Sequence, residues 1–347
     1  MSKTPAFNPY LPSWEYIPDG EPYVFGDRVY VYGSHDFFNG YVFCMGDYMC
    51  WSAPVDDLGD WRCEGVIYGR CDDPMNKEGK MCLYAPDVTV GPDGRYYLYY
   101  VLDKVQVMSV AVCDTPAGKY EFYGYVHYPD GTRLGEREGD EPQFDPGVIT
   151  EGENTYLYSG FCGKGDKGRT GSRAVVLDKD MLTVKSEPVT VIPGCEYSSG
   201  TGFEGHAFFE ASSIRKVGEK YCLIYSSEVM HSLYLGEEGA PKIMQDGRDG
   251  DEETGYIGNI TDGTTAGFKY FDCHNVSRVS VTTRGYAQGI YEVRTKWDGD
   301  SLGEIKVEFS NVWETYSSDI SLPNGVNSVY LTFKGSGNSM LRSFTLE

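Results

Sequence analysis

Asp19, Asp145 and Glu210 stand at matching places in a repeated pattern. Counting back eleven residues from the first tyrosine of an aromatic strand gives Asp19 from Tyr30, Ala85 from Tyr96, Asp145 from Tyr156 and Glu210 from Tyr221. The intervals between these positions are 66, 60 and 65 residues. Carboxylates that a fold brings together suit general acid–base chemistry. One activates a water, a protonated one donates to a leaving group, and a third raises the pKa of the acid by repulsion. A single Asp or Glu in such a place is more simply a hairpin cap; three in one register point to chemistry. A second count, taken from Pro22, Pro86 and Pro146, sets Glu21 rather than Asp19 opposite Asp145 and makes Glu21 the alternative base.

The elements that must position these residues are four copies of one plan: DGEPYVFGDRVYVYGS (19–34), APDVTVGPDGRYYLYY (85–100), DPGVITEGENTYLYSG (145–160) and EASSIRKVGEKYCLIYSS (210–227). Each reads as a short apolar strand, a Gly/Asp/Glu-rich turn and an alternating aromatic strand, which are hairpin signals. A hairpin that recurs at this spacing, with more strand-like sequence between copies, predicts one four-stranded sheet per repeat. Sheets repeated radially make a β-propeller. The first strand of each blade lines the axis, so equivalent positions converge.

Composition narrows the partners. A net charge of −22 argues against nucleic acid and anionic membrane surfaces, both of which call for basic patches. No apolar run approaches the roughly 18 residues of a membrane span, and the start of the chain shows no secretion signal. The ten cysteines form no C-x-x-C pair, and several fall in apolar strand patterns such as KYCLIYSS. They read as reduced thiols in a cytoplasmic protein. The five histidines show no zinc-ligand spacing relative to them, so no metal site is expected from the residues. GSHD (33–36) holds the residue types of a hydrolytic triad, but neighbours on one strand cannot face one another.

On NPYLPSWEYIPDGEPYVFGDRVYVYGSHD, CLYAPDVTVGPDGRYYLYY, EPQFDPGVITEGENTYLYSGF and GHAFFEASSIRKVGEKYCLIYSSEVMH, the chain resembles glycoside hydrolase family 43 over roughly residues 8–235. The resemblance implies a five-bladed propeller and an inverting enzyme that releases xylose or arabinose from fragments of plant polysaccharide. By motif it makes Asp19 the general base, Glu210 the general acid and Asp145 the residue that tunes a pKa and orients substrate. His206 and Asp87 are candidate substrate-binding residues; for His206 a hydrogen-bonded structural role is the equal alternative. A fifth hairpin is due near residue 275, but CHNVSRVSVTTRGYAQG does not follow the plan, and the fourth copy stops early at EVMHSLYLGEEGAPKI. The histidine by which the family's last blade contacts a central metal has no match, so the propeller is expected to be short by more than a blade. Calcium is allowed by the resemblance only.

Residues 1–235 are thus read as the propeller, 236–255 as a polar linker and 256–347 as an antiparallel β-sandwich of about seven strands. In the linker, DGRDGDEE lacks the ligand spacing of a calcium loop. The sandwich resembles carbohydrate-binding module family 6, most closely in GVNSVYLTFKGSGNSMLRSFTLE. Tyr270, Trp297 and Trp313 are its candidate sugar platforms, with packing as the simpler role. The whole is expected to be all-β and to hydrolyse xylo- or arabino-oligosaccharides. The alternative is a propeller that binds sugar without cleaving it, and oligomer formation is left open.

Overall fold

The computed structural model describes residues 10–12, 14–38, 40–163, 168–227, 241–247 and 254–347. Residues 17–52 and 62–232 form one compact unit; residues 1–16, 53–61 and 233–347 form the other. Both are all-β.

The first unit is built from the repeated hairpins. Strands β1 (Glu21–Phe25), β2 (Arg28–Gly33), β3 (Tyr48–Pro54) and β4 (Arg62–Tyr68) make one antiparallel sheet in chain order. Strands β5 (Asp87–Val90), β6 (Tyr96–Tyr100), β7 (Ser109–Cys113) and β8 (Glu121–Tyr125) make the second. The third is β9 (Gly147–Glu151), β10 (Asn154–Ser159), β11 (Gly171–Leu177) and β12 (Val189–Pro193). The fourth has two strands among the described residues, β13 (Phe208–Val217) and β14 (Lys220–Ser227). This is the propeller pattern. Residues 228–240, where an early stop of the fourth repeat was read, lie outside the described residues.

The hairpin turns place glycine where the backbone is left-handed: Gly26, Gly94, Gly152 and Gly218 all have positive φ, which costs glycine nothing. The abundant tyrosines serve the core. Tyr32, Tyr48, Tyr68, Tyr97, Tyr99 and Tyr100 are fully buried. A buried hydroxyl needs a partner, and each finds one nearby: Tyr68 and Tyr100 share a bond of 2.7 Å, Tyr100 donates to Asp73 at 2.6 Å, and Tyr99 donates to the Met181 carbonyl at 2.7 Å.

The second unit is a sandwich. One sheet has the order β15-β16-β23-β18-β21, from β15 (Lys242–Met244), β16 (Tyr256–Ile260), β18 (Val279–Gly285), β21 (Ser310–Ser318) and β23 (Ser339–Leu346). The other has the order β17-β22-β19-β20, from β17 (Thr265–Cys273), β19 (Ala287–Arg294), β20 (Gly303–Val307) and β22 (Gly325–Gly337). Between them lies an apolar core that includes Val279, Val281, Tyr291, Val293, Ile305, Leu331 and Phe333. Residues 242–244 fall in the stretch read as a linker, yet they form β15, an edge strand paired with β16. Asp246 then binds Arg284 at 2.6 Å, which fixes the end of that strand. Residues 248–253, most of the acidic run, lie outside the described residues. Trp313 packs against Tyr256 and lies under Arg284, so it is a packing residue; Trp297 and Tyr270 are exposed.

Candidate active site

Asp19, Asp145 and Glu210 line one cavity of about 420 Å³. Ala85, the fourth residue of the same register, lines it too. Three equivalent positions thus supply carboxylates and the fourth leaves room. The remaining wall is mostly aromatic: Phe43, Tyr84, Phe144 and Phe161 form a chain with ring centroids 5.2–5.6 Å apart. Asp36, Pro18 and Cys44 complete it, and no Lys, Arg or His is among the described lining residues. An acidic, cation-free hollow walled by rings suits a neutral sugar and a positively charged transition state, and repels anions.

Local backbone sets each carboxylate. Asp19 precedes β1 with φ 55° and Asp145 precedes β9 with φ 41°, left-handed conformations that Asp tolerates better than most residues. Ser34, at the end of β2, donates to Asp19 at 3.2 Å. Glu210 lies in β13 where the pairing with β14 is irregular on both sides, and Ala211 next to it has φ 62°. Such a bulge re-aims a side chain. It also points the Ala211 amide at Asp145, to which it donates at 3.1 Å.

Burial and crowding raise all three pKa values. For Asp19, burial raises it first, Asp36 adds repulsion and the Ser34 hydroxyl opposes them. For Glu210, burial is followed by the charge of Asp19. Asp145, the most buried, is held well above the usual carboxylate range by burial, then by Glu210 and Asp19, with the Ala211 amide opposing. Three carboxylates so placed oppose one another's ionisation.

Three of the expected site residues do not reach the cavity. Glu21, Asp87, Gly147 and Ser212 stand two residues beyond the lining positions and make a second set. Glu21, the alternative base, pairs with the Arg215 guanidinium and accepts from the Ser213 hydroxyl at 2.8 Å. Asp87 is fully buried, accepts from the Val88 and Val148 amides at 2.9 and 2.7 Å, faces Arg215 at 3.3 Å and is not among the lining residues. His206 is exposed in the loop before β13 and its carbonyl accepts from Tyr225 at 2.6 Å; it is not among the lining residues. Gly147 has no room for a side chain, because a Cβ would sit 2.6 Å from the Ser212 carbonyl oxygen.

For calcium, which the resemblance allows, the described residues offer no cluster of three or more His, Cys, Asp or Glu fit to hold it, and the carboxylates of Glu21 and Asp87 already face a guanidinium. Sequence reasoning missed Asp36, the aromatic wall and Arg215. The rings carried a signal, since Phe144 and Tyr84 directly precede register positions; Asp36 and Arg215 carried none.

Residues 17–238 match the model of glycosyl hydrolases family 43. The chain is 50% identical to a xylosidase/arabinosidase of Thermoclostridium stercorarium, with 98% of each protein covered. That alignment runs over 465 positions against 347 residues here, so at least 118 of them (465 less 347) have no counterpart in this chain. Among solved structures, a family 43 arabinoxylan arabinofuranohydrolase from Bacillus subtilis, in complex with cellotetraose, aligns over 98% of this chain and 97% of its own at 16% identity and TM-score 0.47. The module CsCBM6-3 of Clostridium stercorarium, in complex with cellobiose, aligns over 31% of this chain and 81% of its own at 22% identity and TM-score 0.28. With a family model over well over half its length and a half-identical relative aligned from end to end, this chain belongs to the glycosyl hydrolases of family 43.

Proposed function

We propose that the protein hydrolyses xylosidic or arabinofuranosidic bonds in plant-derived oligosaccharides, with inversion at the anomeric carbon. The observation that carries this reading is the convergence of Asp19, Asp145 and Glu210 on one aromatic-walled cavity. The similarity to a xylosidase/arabinosidase supports the choice of sugar. Asp19 is the base. It takes a proton from a water whose oxygen attacks the anomeric carbon. Glu210 is the acid. It gives its proton to the glycosidic oxygen as the bond from that oxygen to the anomeric carbon breaks. The sugar leaves with opposite configuration because water enters on the face opposite the leaving group. Burial and then the charge of Asp19 favour the protonated form of Glu210, and Asp145, through the Ala211 amide, fixes the strand that carries it. The ten cysteines are all free, which supports a cytoplasmic setting.

The test separates the two roles. Protonation of the leaving oxygen matters only when that group leaves poorly. Glu210→Ala is expected to cut hydrolysis of xylobiose by roughly 10²–10⁴-fold and to spare most of the rate on 2,4-dinitrophenyl glycosides. Asp19→Ala removes activation of water and is expected to slow both, with azide restoring turnover to a product of opposite anomeric form. Equal losses for Glu210→Ala, with discrimination by Asp19→Ala, would reverse the assignment. The alternative, sugar binding without cleavage, is not favoured, since all three carboxylates are retained and face one cavity. Turnover of neither glycoside by the wild-type chain would revive it.

A further inference from the structure

We propose that Arg215 is the positioning residue for the Glu210 carboxylate, an inference that rests on the assignment of Glu210 as the acid. Arg215 lies on β13, five residues beyond Glu210, and its side chain leaves its own sheet to grip two others. Its Nε donates to the Pro22 carbonyl of β1 at 3.1 Å, and one terminal nitrogen binds the Glu21 carboxylate. The guanidinium also reaches both oxygens of Asp87 on β5, at 3.3 and 3.5 Å, and lies over the Tyr23 ring with its carbon 3.8 Å from the centroid. Tyr23 in turn donates to the Val148 carbonyl of β9 at 2.7 Å, and Asp87 accepts from the Val148 amide. One cation thus ties the first strands of all four sheets.

Two features make this tie matter for Glu210. Among the described residues β13 has a single strand partner, β14, whereas the other first strands belong to four-stranded sheets. Contacts across the axis therefore add to its ladder with β14 in setting its place. Its bonds to the other sheets run from Phe209, whose carbonyl accepts from the Cys162 amide, through Ala211 to Asp145, Ser213 to Glu21, and Arg215 to Glu21, Pro22 and Asp87, to Lys216 with Glu151. The second feature is charge. Glu21, Asp87 and Tyr23 are the titratable groups that face the guanidinium, and both carboxylates are largely or fully withdrawn from water. Without Arg215 they would repel each other and lose their counter-charge, and β1 and β5 would separate from β13. Proton transfer to a leaving oxygen needs hydrogen-bond reach, so a displacement of about 1 Å is costly there.

The experiment compares Arg215→Met and Arg215→Lys with wild type on xylobiose and on 2,4-dinitrophenyl glycosides, with thermal melts to confirm folding at the assay temperature. Arg215→Met is expected to lower kcat/KM on xylobiose by about 10²-fold and on the activated substrate by less than about 10-fold, the signature of a misplaced acid. Arg215→Lys keeps the charge and loses the fork; it is expected to show the same split at smaller size, and it decides the matter where the Met variant does not fold. Equal losses on both substrates, or no loss in the Lys variant, would overturn the proposal. If wild type cleaves neither glycoside, the functional assignment fails by itself. Hydrogen exchange then tests Arg215: faster exchange confined to residues 208–217 in Arg215→Lys is expected, and unchanged exchange there refutes the tie.

Discussion

Replacing Glu21 by Gln tests both the register of the repeats and the energetics of the axis. Burial, and then the charge of Asp87, push the Glu21 carboxyl up from its ordinary 4.5 to about 7, against the pull of Arg215 and the Ser213 hydroxyl. Between these two values the native state holds a proton that the unfolded chain has released. Stability from this group is therefore fully present below about pH 4.5 and is lost as pH rises through about 7. At about 1.4 kcal/mol per pH unit, the ionised carboxylate costs the fold on the order of 3 kcal/mol at pH 8. Gln is neutral at every pH and still accepts from Arg215 and Ser213. Urea unfolding should find Glu21→Gln more stable than wild type by about 2–3 kcal/mol at pH 8 and within about 1 kcal/mol of it at pH 5. A variant less stable at pH 8 would refute the reasoning, because the attraction of Arg215 would then outweigh burial. Activity decides the register. If Glu21→Gln, while folded, abolishes hydrolysis of both activated and unactivated glycosides, then Glu21 is the base and the count from the prolines was correct.

Asp145→Asn replaces a crowded carboxyl with a neutral isostere that still accepts from Ala211. Differential scanning fluorimetry at pH 7.5 should show a higher melting point, while kcat on xylobiose falls by at least about 10²-fold. The raised pKa values of Asp19 and Glu210 imply a bell-shaped kcat/KM profile. Its acid limb should lie above the ordinary Asp value and its basic limb should vanish in Glu210→Ala assayed on a dinitrophenyl glycoside. Gly147→Ala drives a Cβ to 2.6 Å from the Ser212 carbonyl oxygen. Urea titration should find a loss of about 1–3 kcal/mol, and the acid-dependent substrate should suffer more than the activated one because β13 carries Glu210. Tyr100→Phe removes the hydroxyl that joins Tyr68 to the buried Asp73. A loss of about 1–3 kcal/mol with unchanged KM is expected, measurable by the same titration.

The sequence by itself determined the repeat and, through it, the register. Tyr30, Tyr96, Tyr156 and Tyr221 mark return strands, and a period-two element fixes which residue of the first strand lies at which height. That is why Asp19, Ala85, Asp145 and Glu210 could be matched from spacing, and why all four line one cavity. Turn chemistry was legible too, since glycine stands at each left-handed hairpin position. What the tertiary structure decided are contacts between residues far apart in the chain. Asp87 has the type and place of a sugar ligand, but the amides of Val88 and Val148 and the guanidinium of Arg215 claim its oxygens. Glu21 is two residues from Asp19, and that step alone separates an axial ion pair from a cavity wall. Lys242–Met244 read as linker because three residues carry too little pattern, and only the edge of β16 makes them a strand. Arg215 gave no local sign at all: an arginine in an exposed-looking strand is ordinary, and its role exists only where two other strands bring a carbonyl, two carboxylates and a ring within reach of one side chain.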